Sequence, residues 1–469
     1  MVTDAARPGP TLFVLYGATG DLAKRMVLPA FYTLAKEGLL PAKWMLVGNG
    51  RGDVSHYDFR QHVEQVLTDS GEDLGDDTWA QFKDRLRFAG GGFAKDDPGS
   101  LLDVIAESRK EVGEDARLVH YLAIPPSAFE RITEGLGEHD LARGSYVVYE
   151  KPFGTSAESF RQLDAMAHEV LDEGQIFRID HFLGKEATQN LHVTRFANGL
   201  FDAIWSREHI RAVQIDVPET LGIADRAQFY DETGAVLDML VTHLFQLAAE
   251  VAMEPPTNLT AENLQAAREK VIGCFRKLDP ADVVLGQFDG FTDTEGVRKT
   301  SRTDTFVAAR MYIDNDRWRD VPFLLRTGKR LHASAQRVSL ILREPKGTLE
   351  GVPKNGNVLT FDLSGNGAID LRLVTKRPGP EVDLDATDVV LHLDADPDAD
   401  PLPPYARLIH DVLTGDRSLF TRPDGLAAVW EAAAPLLDEP PTLHSYAPGS
   451  WGPSQAAALA EPDGWLLGG

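Results

Sequence analysis

One cysteine, Cys274, stands in 469 residues, so an internal disulfide framework and a thiolate-rich metal site are both excluded. No apolar stretch approaches the roughly 20 residues that span a bilayer, and no membrane partner is expected. Positive charge is also scarce. Against 72 acids there are 47 bases, a formal net charge of −25, which argues against nucleic acid and against an anionic membrane surface. A small anionic substrate remains open, because a few local lysines and a helix N-terminus can hold a phosphate. No metal is expected, since the acids are scattered without ligand spacing of the usual kinds. Residues 1–10 are polar and proline-rich and lead directly into a strand-like run, unlike a secretory leader. Cytoplasm is the expected compartment.

Hydrophobic residues make up 43% and charged residues 25%, the balance of a globular chain that can bury a real core. The length calls for two domains. Strand-like and helix-like segments alternate through the first half, as an open parallel sheet requires. The strands are read at Thr11–Tyr16, Trp44–Val47, Leu118–Ile124, Tyr146–Tyr149 and Gln175–Ile179, the helices at Leu22–Leu40 and around Tyr57–Leu67. After residue 180 the rhythm changes. Helical patterns over Lys185–Ala197 and Thr233–Met253 are followed by strand-like stretches at Val213–Val217, Val338–Leu342, Val358–Leu363 and Val389–Leu393, with few helices between. Asp394–Pro404, acidic and proline-rich, reads as a loop. The expected fold is therefore α/β: a Rossmann-like dinucleotide-binding domain over 1–180, then an α+β domain over 181–469 on a large, mostly antiparallel sheet.

Gly17-Ala-Thr19-Gly20-Asp21-Leu22-Ala23 lies between the first strand and the first helix. Glycines there let backbone approach a pyrophosphate, and the helix N-terminus offers it free N–H groups. The spacing G-x-x-G-x-x-A departs from the usual G-x-G-x-x-G. At the end of the second strand, where an NAD-preferring fold usually places an acid, the chain has Arg51. Arg51 suits a 2′-phosphate, with the Thr19 hydroxyl as helper, and points to NADP.

Three further stretches are too particular for packing alone: Glu150–Gly154, Arg178–Glu186 and Asp238–His243. Asp180 and His181 follow a buried strand at the carboxyl edge, where α/β sheets bind ligands. His181 and Lys185, four apart at the start of a helix, face one anion in this reading. His243 sits in an apolar helix, and a catalytic role for it needs a carboxylate partner, for which Asp180 is the candidate.

On these stretches, with Tyr121–Pro126, Glu219, Tyr230-Asp231, Val321–Leu331 and Tyr446–Pro453, the sequence resembles the glucose-6-phosphate dehydrogenases over nearly its whole length. The resemblance implies oxidation of a sugar C1 hydroxyl to a lactone with hydride transfer to NADP⁺, and a homodimer or homotetramer built on the large sheet. It implies His243 as base and Asp180 as its orienting carboxylate. It places Glu219, Asp238 and Lys329 on the sugar, His181 and Lys185 on the phosphate, and Lys151 between cofactor and substrate. Gly17, Thr19, Gly20, Asp21, Leu22, Arg51 and Pro125 fall on the cofactor side, with Pro152 linked to its positioning. Departures concentrate at the phosphate: Met26 and Ser334 stand where basic residues are usual, and Phe182 where a tyrosine is. Leu237 and Val241-Thr242 replace an arginine and a Gln-Asn pair near the base. Arg330 and Arg337 are candidates to make up the lost charge. Two alternatives stay open: a divergent paralogue oxidising C1 of another sugar, and an inactive regulatory relative, which the retention of Asp180, His243, Lys151 and the glycine turn opposes.

Overall fold

The computed structural model describes residues 8–75, 77–223, 226–345, 350–365, 367–393 and 401–468. Most of the acidic segment read as a loop, residues 394–400, lies outside them, as do residues 1–7.

Apolar runs such as Thr11–Tyr16, buried at every position, cannot lie on a half-wet sheet, and they become a parallel sheet covered on both faces. Its strands are β1 (Thr11–Tyr16), β2 (Trp44–Asn49), β3 (Leu86–Ala89), β4 (Arg117–Leu122), β5 (Tyr146–Tyr149) and β6 (Ile176–Arg178). They run in the order β3-β2-β1-β4-β5-β6, with every pairing parallel. This is the doubly wound dinucleotide-binding order, whose ligand crevice opens at the carboxyl ends between β1 and β4.

The second sheet has nine strands: β7 (Ile210–Pro218), β8 (Val283–Phe288), β9 (Phe306–Met311), β10 (Phe323–Gly328), β11 (Arg337–Leu342), β12 (Val358–Asp362), β13 (Ala368–Lys376), β14 (Leu384–His392) and β15 (Leu443–Tyr446). Their order is β14-β13-β12-β11-β7-β10-β9-β8-β15. Only β7–β10 and β8–β15 pair in parallel, so the sheet is mixed and mostly antiparallel. Along β7, Val213, Ile215 and Val217 enter the main core. The alternate residues Gln214 and Asp216 face the other way, where Asp216 takes the Arg326 guanidinium from β10 (Nε to Oδ1 2.9 Å).

Among the described residues of the second half, Gly199–Ile204 and most of Ala227–Ala235 are helical where no helix was expected, and so are three further segments: Ala261–Ile272, Pro404–Thr414 and Pro423–Asp438. The middle one returns to the first domain, where Leu408, Ile409 and Val412 pack with Phe13 and Leu15 of β1. One helical stretch, Ala227–Ala252, is long and apolar enough to cross a bilayer by length and composition, which corrects the expectation that none would be. It is 89% buried within the protein, so its apolarity is that of a core helix.

Candidate active site

The carboxyl edge of the first sheet collects Gly17, Pro125, Lys151 and Asp180, because β1, β4, β5 and β6 are neighbours there. Gly17 follows β1 with φ 71°, and a Cβ on it would sit 2.4 Å from the Ala123 carbonyl oxygen beyond β4. Only glycine allows that left-handed, close-packed turn. Gly20 N–H closes the turn on Gly17 O at 2.8 Å, and the chain then enters a helix whose first N–H groups lack carbonyl partners. Thr19 and Asp21 are exposed, and Asp21 pairs with Arg25 at 2.9 Å. Leu22 packs beneath the turn, and Pro125 begins the short turn after β4. Arg51 is exposed just past β2. A glycine cradle and a helix N-terminus fit a dinucleotide's pyrophosphate, and the exposed Arg51 guanidinium stands beside the next strand.

Lys151 follows β5 and Asp180 follows β6. Asp180 Oδ1 accepts from the Phe182 backbone N–H at 2.9 Å and lies 2.7 Å from His243 Nδ1. With the proton on Nδ1, Nε2 is an acceptor, and it receives the Lys151 ammonium at 2.6 Å. Lys151 also reaches Asp238 Oδ1 at 3.2 Å. That convergence depends on how residues 236–244 coil. Asp238 and His243 are five apart, and at 3.6 residues per turn such positions diverge by about 140°. Here Val236–Leu244 is a π-helix, whose wider turn returns both to one face. The segment begins at a break: Gly234 has φ 63°, and the Asp304 carboxylate caps the Val236 N–H at 2.8 Å. The sequence reading of one uniform helix over Thr233–Met253 therefore missed the feature that aligns the site.

Burial dominates the electrostatics. It pushes the Asp180 carboxyl up to about 6, against the pull of neighbouring cations. Burial and the Lys151 charge drive the His243 imidazole well below its usual range, so the base is neutral and ready to accept. Burial also acts to raise Asp238, but Lys151, Arg226, His243 and Lys329 outweigh it and hold the carboxyl at about 2. Asp180, His181 and His243 bring ligand-type atoms within 4.8 Å of one another. The hydrogen-bonded pair accounts for that nearness, and the Lys151 ammonium already holds the free nitrogen a metal would need.

Around the pair, the structure brings together residues read as sugar-binding. Lys329 Nζ is 2.6 Å from Glu219 Oε2 and 5.5 Å from the Tyr230 ring centroid. The phosphate side differs from the reading in detail. His181 and Lys185 are joined by a turn, and the helix starts only at Glu186. His181 packs edge-on against His243, ring centroids 4.6 Å apart. Lys185 is bound by the Gln336 side chain, donates to the Leu363 carbonyl at 3.3 Å, and lies 4.7 Å over the Phe182 ring. Burial lowers its ammonium to about 8. Ser334 is occupied as acceptor for the Thr220 N–H at 2.9 Å. Of the two arginines offered as compensation, Arg330 is drawn away over Phe288 at 5.1 Å, while Arg337 pairs with Asp362 at 3.2 Å. Two residues the sequence reading did not single out line this end. One is Gln336. The other is Tyr405, from the returning helix, whose ring stacks on His181 with centroids 6.1 Å apart; no local signal marks either.

With this geometry in place, the comparisons with known proteins are specific. Residues 14–190 match the family description "Glucose-6-phosphate dehydrogenase, NAD binding domain", and residues 192–466 its C-terminal domain. The glucose-6-phosphate 1-dehydrogenase of Chlamydia pneumoniae is 34% identical over 97% of this chain and 95% of its own. A crystal structure of the Mycobacterium avium enzyme of that name superposes with TM-score 0.88 at 35% identity, covering 98% of this chain and 99% of the other. A solved glucose-6-phosphate dehydrogenase in complex with its substrate glucose 6-phosphate matches with TM-score 0.91 at 29% identity, covering 100% of both chains. Signature turn, buried His–Asp pair and full-length match agree, and the chain belongs to the glucose-6-phosphate dehydrogenase family.

Proposed function

We propose that the protein oxidises glucose 6-phosphate at C1 to its lactone with NADP⁺. The observation that carries this reading is the 2.7 Å pair of Asp180 Oδ1 and His243 Nδ1, set beside Lys151 at the carboxyl edge of the dinucleotide sheet. The full-length match to a relative bound to glucose 6-phosphate supports the substrate. NADP⁺ held at the Gly17–Leu22 turn, with Arg51 on its 2′-phosphate, supplies the hydride acceptor. His243 Nε2 takes the C1 hydroxyl proton, and Asp180 holds the required tautomer and stabilises the imidazolium that forms. Before that transfer the hydroxyl must share Nε2 with, or displace, the Lys151 ammonium, which Asp238 steadies. Glu219 and Lys329 hold sugar hydroxyls, and Lys185 and His181 take the phosphate.

We extend the reading to a homodimer or homotetramer and to the cytoplasm. Support for self-association comes from adjacent strands β13 and β14, where Leu373, Val389, Val390 and Leu391 are all substantially exposed. The lone thiol, Cys274, suits a reducing compartment. The thinned phosphate end, with Phe182 in place of a donor and Ser334 occupied, favours as second reading a paralogue acting on another sugar.

Initial rates, followed by the absorbance of the reduced nicotinamide, test substrate and cofactor together. Wild type is expected to turn over glucose 6-phosphate with NADP⁺ far better than free glucose. Arg51→Ala should raise the KM for NADP⁺ about tenfold or more, the worth of a charge-assisted hydrogen bond, and leave NAD⁺ use nearly untouched. Equal losses with both cofactors would show that Arg51 supports the loop instead of reading the 2′-phosphate.

A further inference from the structure

Beside Asp180, on the side away from its bond to His243, lies a partly open pocket with room of about 40 Å³, whose polar lining is Glu150, Lys151, Arg178, Asp180, Thr242 and Thr421, with apolar walls between them. Two hydrogen-bonding atoms on its lining residues are buried and unmet. Asp180 Oδ2 is buried without a partner, although Oδ1 of the same carboxylate has two. Arg178 Nε is buried without a partner, although its terminal nitrogens are satisfied by Glu173 at 3.0 Å and Asp164 at 2.7 Å. Thr421 lines the same pocket and carries a hydroxyl that can both donate and accept.

The placement is not accidental to the fold. Arg178 and Asp180 are two apart in extended chain at the end of β6, so their side chains leave the same face. Thr421 meets Arg178 through an isolated antiparallel bridge, which brings a C-terminal segment across the back of the pair. Thr242, whose hydroxyl donates to the Leu237 carbonyl at 2.7 Å, keeps lone pairs to accept. Val241 and Thr242 are also shorter than the Gln-Asn pair expected at these positions, which leaves the space open.

A buried carboxylate oxygen left without a hydrogen-bond donor forfeits hydration that the fold must replace in some form. A water needs about 10–15 Å³ and two to four polar partners, and this cavity offers both. We infer that an ordered water fills it, accepting from Arg178 Nε–H and donating to Asp180 Oδ2 and Thr421 Oγ1, and that Thr421 is thereby a positioning residue for the catalytic pair. The water fixes the rotation of the Asp180 carboxylate, and through Oδ1 the tautomer and direction of His243. A donor on Oδ2 also stabilises the carboxylate charge, which keeps the pair from taking up a proton too readily.

The inference rests on His243 and Asp180 acting as proposed above, and its test separates the two. Thr421→Val keeps the shape and removes the hydroxyl. It should lower kcat about tenfold with KM for glucose 6-phosphate and for NADP⁺ within about twofold. Without the hydroxyl that anchors it the water is released, Asp180 Oδ2 loses the water's O–H donor and the pair becomes more basic, so the acid limb of the kcat–pH profile should move up by about half a unit or more. Thr421→Ser should restore both. Wild-type kcat and an unmoved acid limb in Thr421→Val would overturn the inference, as would an equal loss in Thr421→Ser, which marks a packing role. Should Thr421→Val fail to fold, electron density of the wild type decides: a peak within hydrogen-bonding distance of Asp180 Oδ2 and Thr421 Oγ1 upholds the water, and an empty cavity removes it. If the water is absent while His243→Asn remains severely impaired, this inference falls and the catalytic reading stands.

Discussion

Replacing His243 by asparagine is expected to lower kcat by about 10²–10⁴-fold, the usual worth of general base catalysis, with KM for the sugar phosphate little changed. The reason is positional. His243 is fully buried, its Nδ1 is committed to Asp180 at 2.7 Å, and Nε2 is the nitrogen left to meet a hydroxyl. Asparagine keeps a polar group but has no titratable nitrogen there. Asp180→Asn should be severely impaired as well, because an amide can present an N–H to Nδ1 and favour the wrong tautomer. An imidazolium formed in this buried place would also lose its counter-charge. The double variant should fall little below the worse single one, since the two residues act as a unit. Initial-rate kinetics at saturating substrate settle the matter, and near wild-type kcat for His243→Asn removes it from the mechanism.

Lys185→Ala is expected to nearly abolish the preference for glucose 6-phosphate over glucose. Charge-assisted hydrogen bonds contribute roughly 1.5–3 kcal/mol, so kcat/KM for the phosphorylated sugar should drop about 10–100-fold. Free glucose, with nothing to offer that ammonium, should change little. The structure concentrates this burden on Lys185. Phe182 presents a ring face to it without a hydroxyl, Ser334 serves Thr220, Arg337 is paired with Asp362, and Arg330 lies over Phe288. Because Ser334 is engaged, Phe182→Tyr is the cleaner way to restore a lost donor, and it should lower KM for glucose 6-phosphate. Parallel losses on both sugars in Lys185→Ala would show that the lysine chiefly holds Gln336 and the Leu363 carbonyl in place.

The parts of the fold that were legible share a physical cause. Thr11–Tyr16 and Tyr146–Tyr149 are strands at the residues expected, because a parallel strand buried on both faces shows as an unbroken apolar run. Leu86–Ala89 escaped because it is four residues at a sheet edge, interrupted by Arg87. Only the end of β14 was read, since Leu384–His392 is largely exposed and its polar residues dilute the pattern. In the site, Asp180 and His243 could be paired from their motifs. The π-turn that aligns Asp238 with His243 could not, because hydrophobic periodicity does not resolve a single widened turn. Tyr405, Gln336 and Thr421 reach the site from distant segments, and only tertiary packing brings them there.

In the proposed reaction hydride leaves C1 of glucose 6-phosphate for NADP⁺, and deuterium at C1 tests this directly. Substrate labelled at that carbon, incubated with the wild-type protein and NADP⁺, should yield NADPH carrying the deuterium and a lactone without it, read by mass spectrometry. Unlabelled NADPH, or a sugar product that retains its deuterium, would mean that the His243–Asp180 pair serves a different reaction.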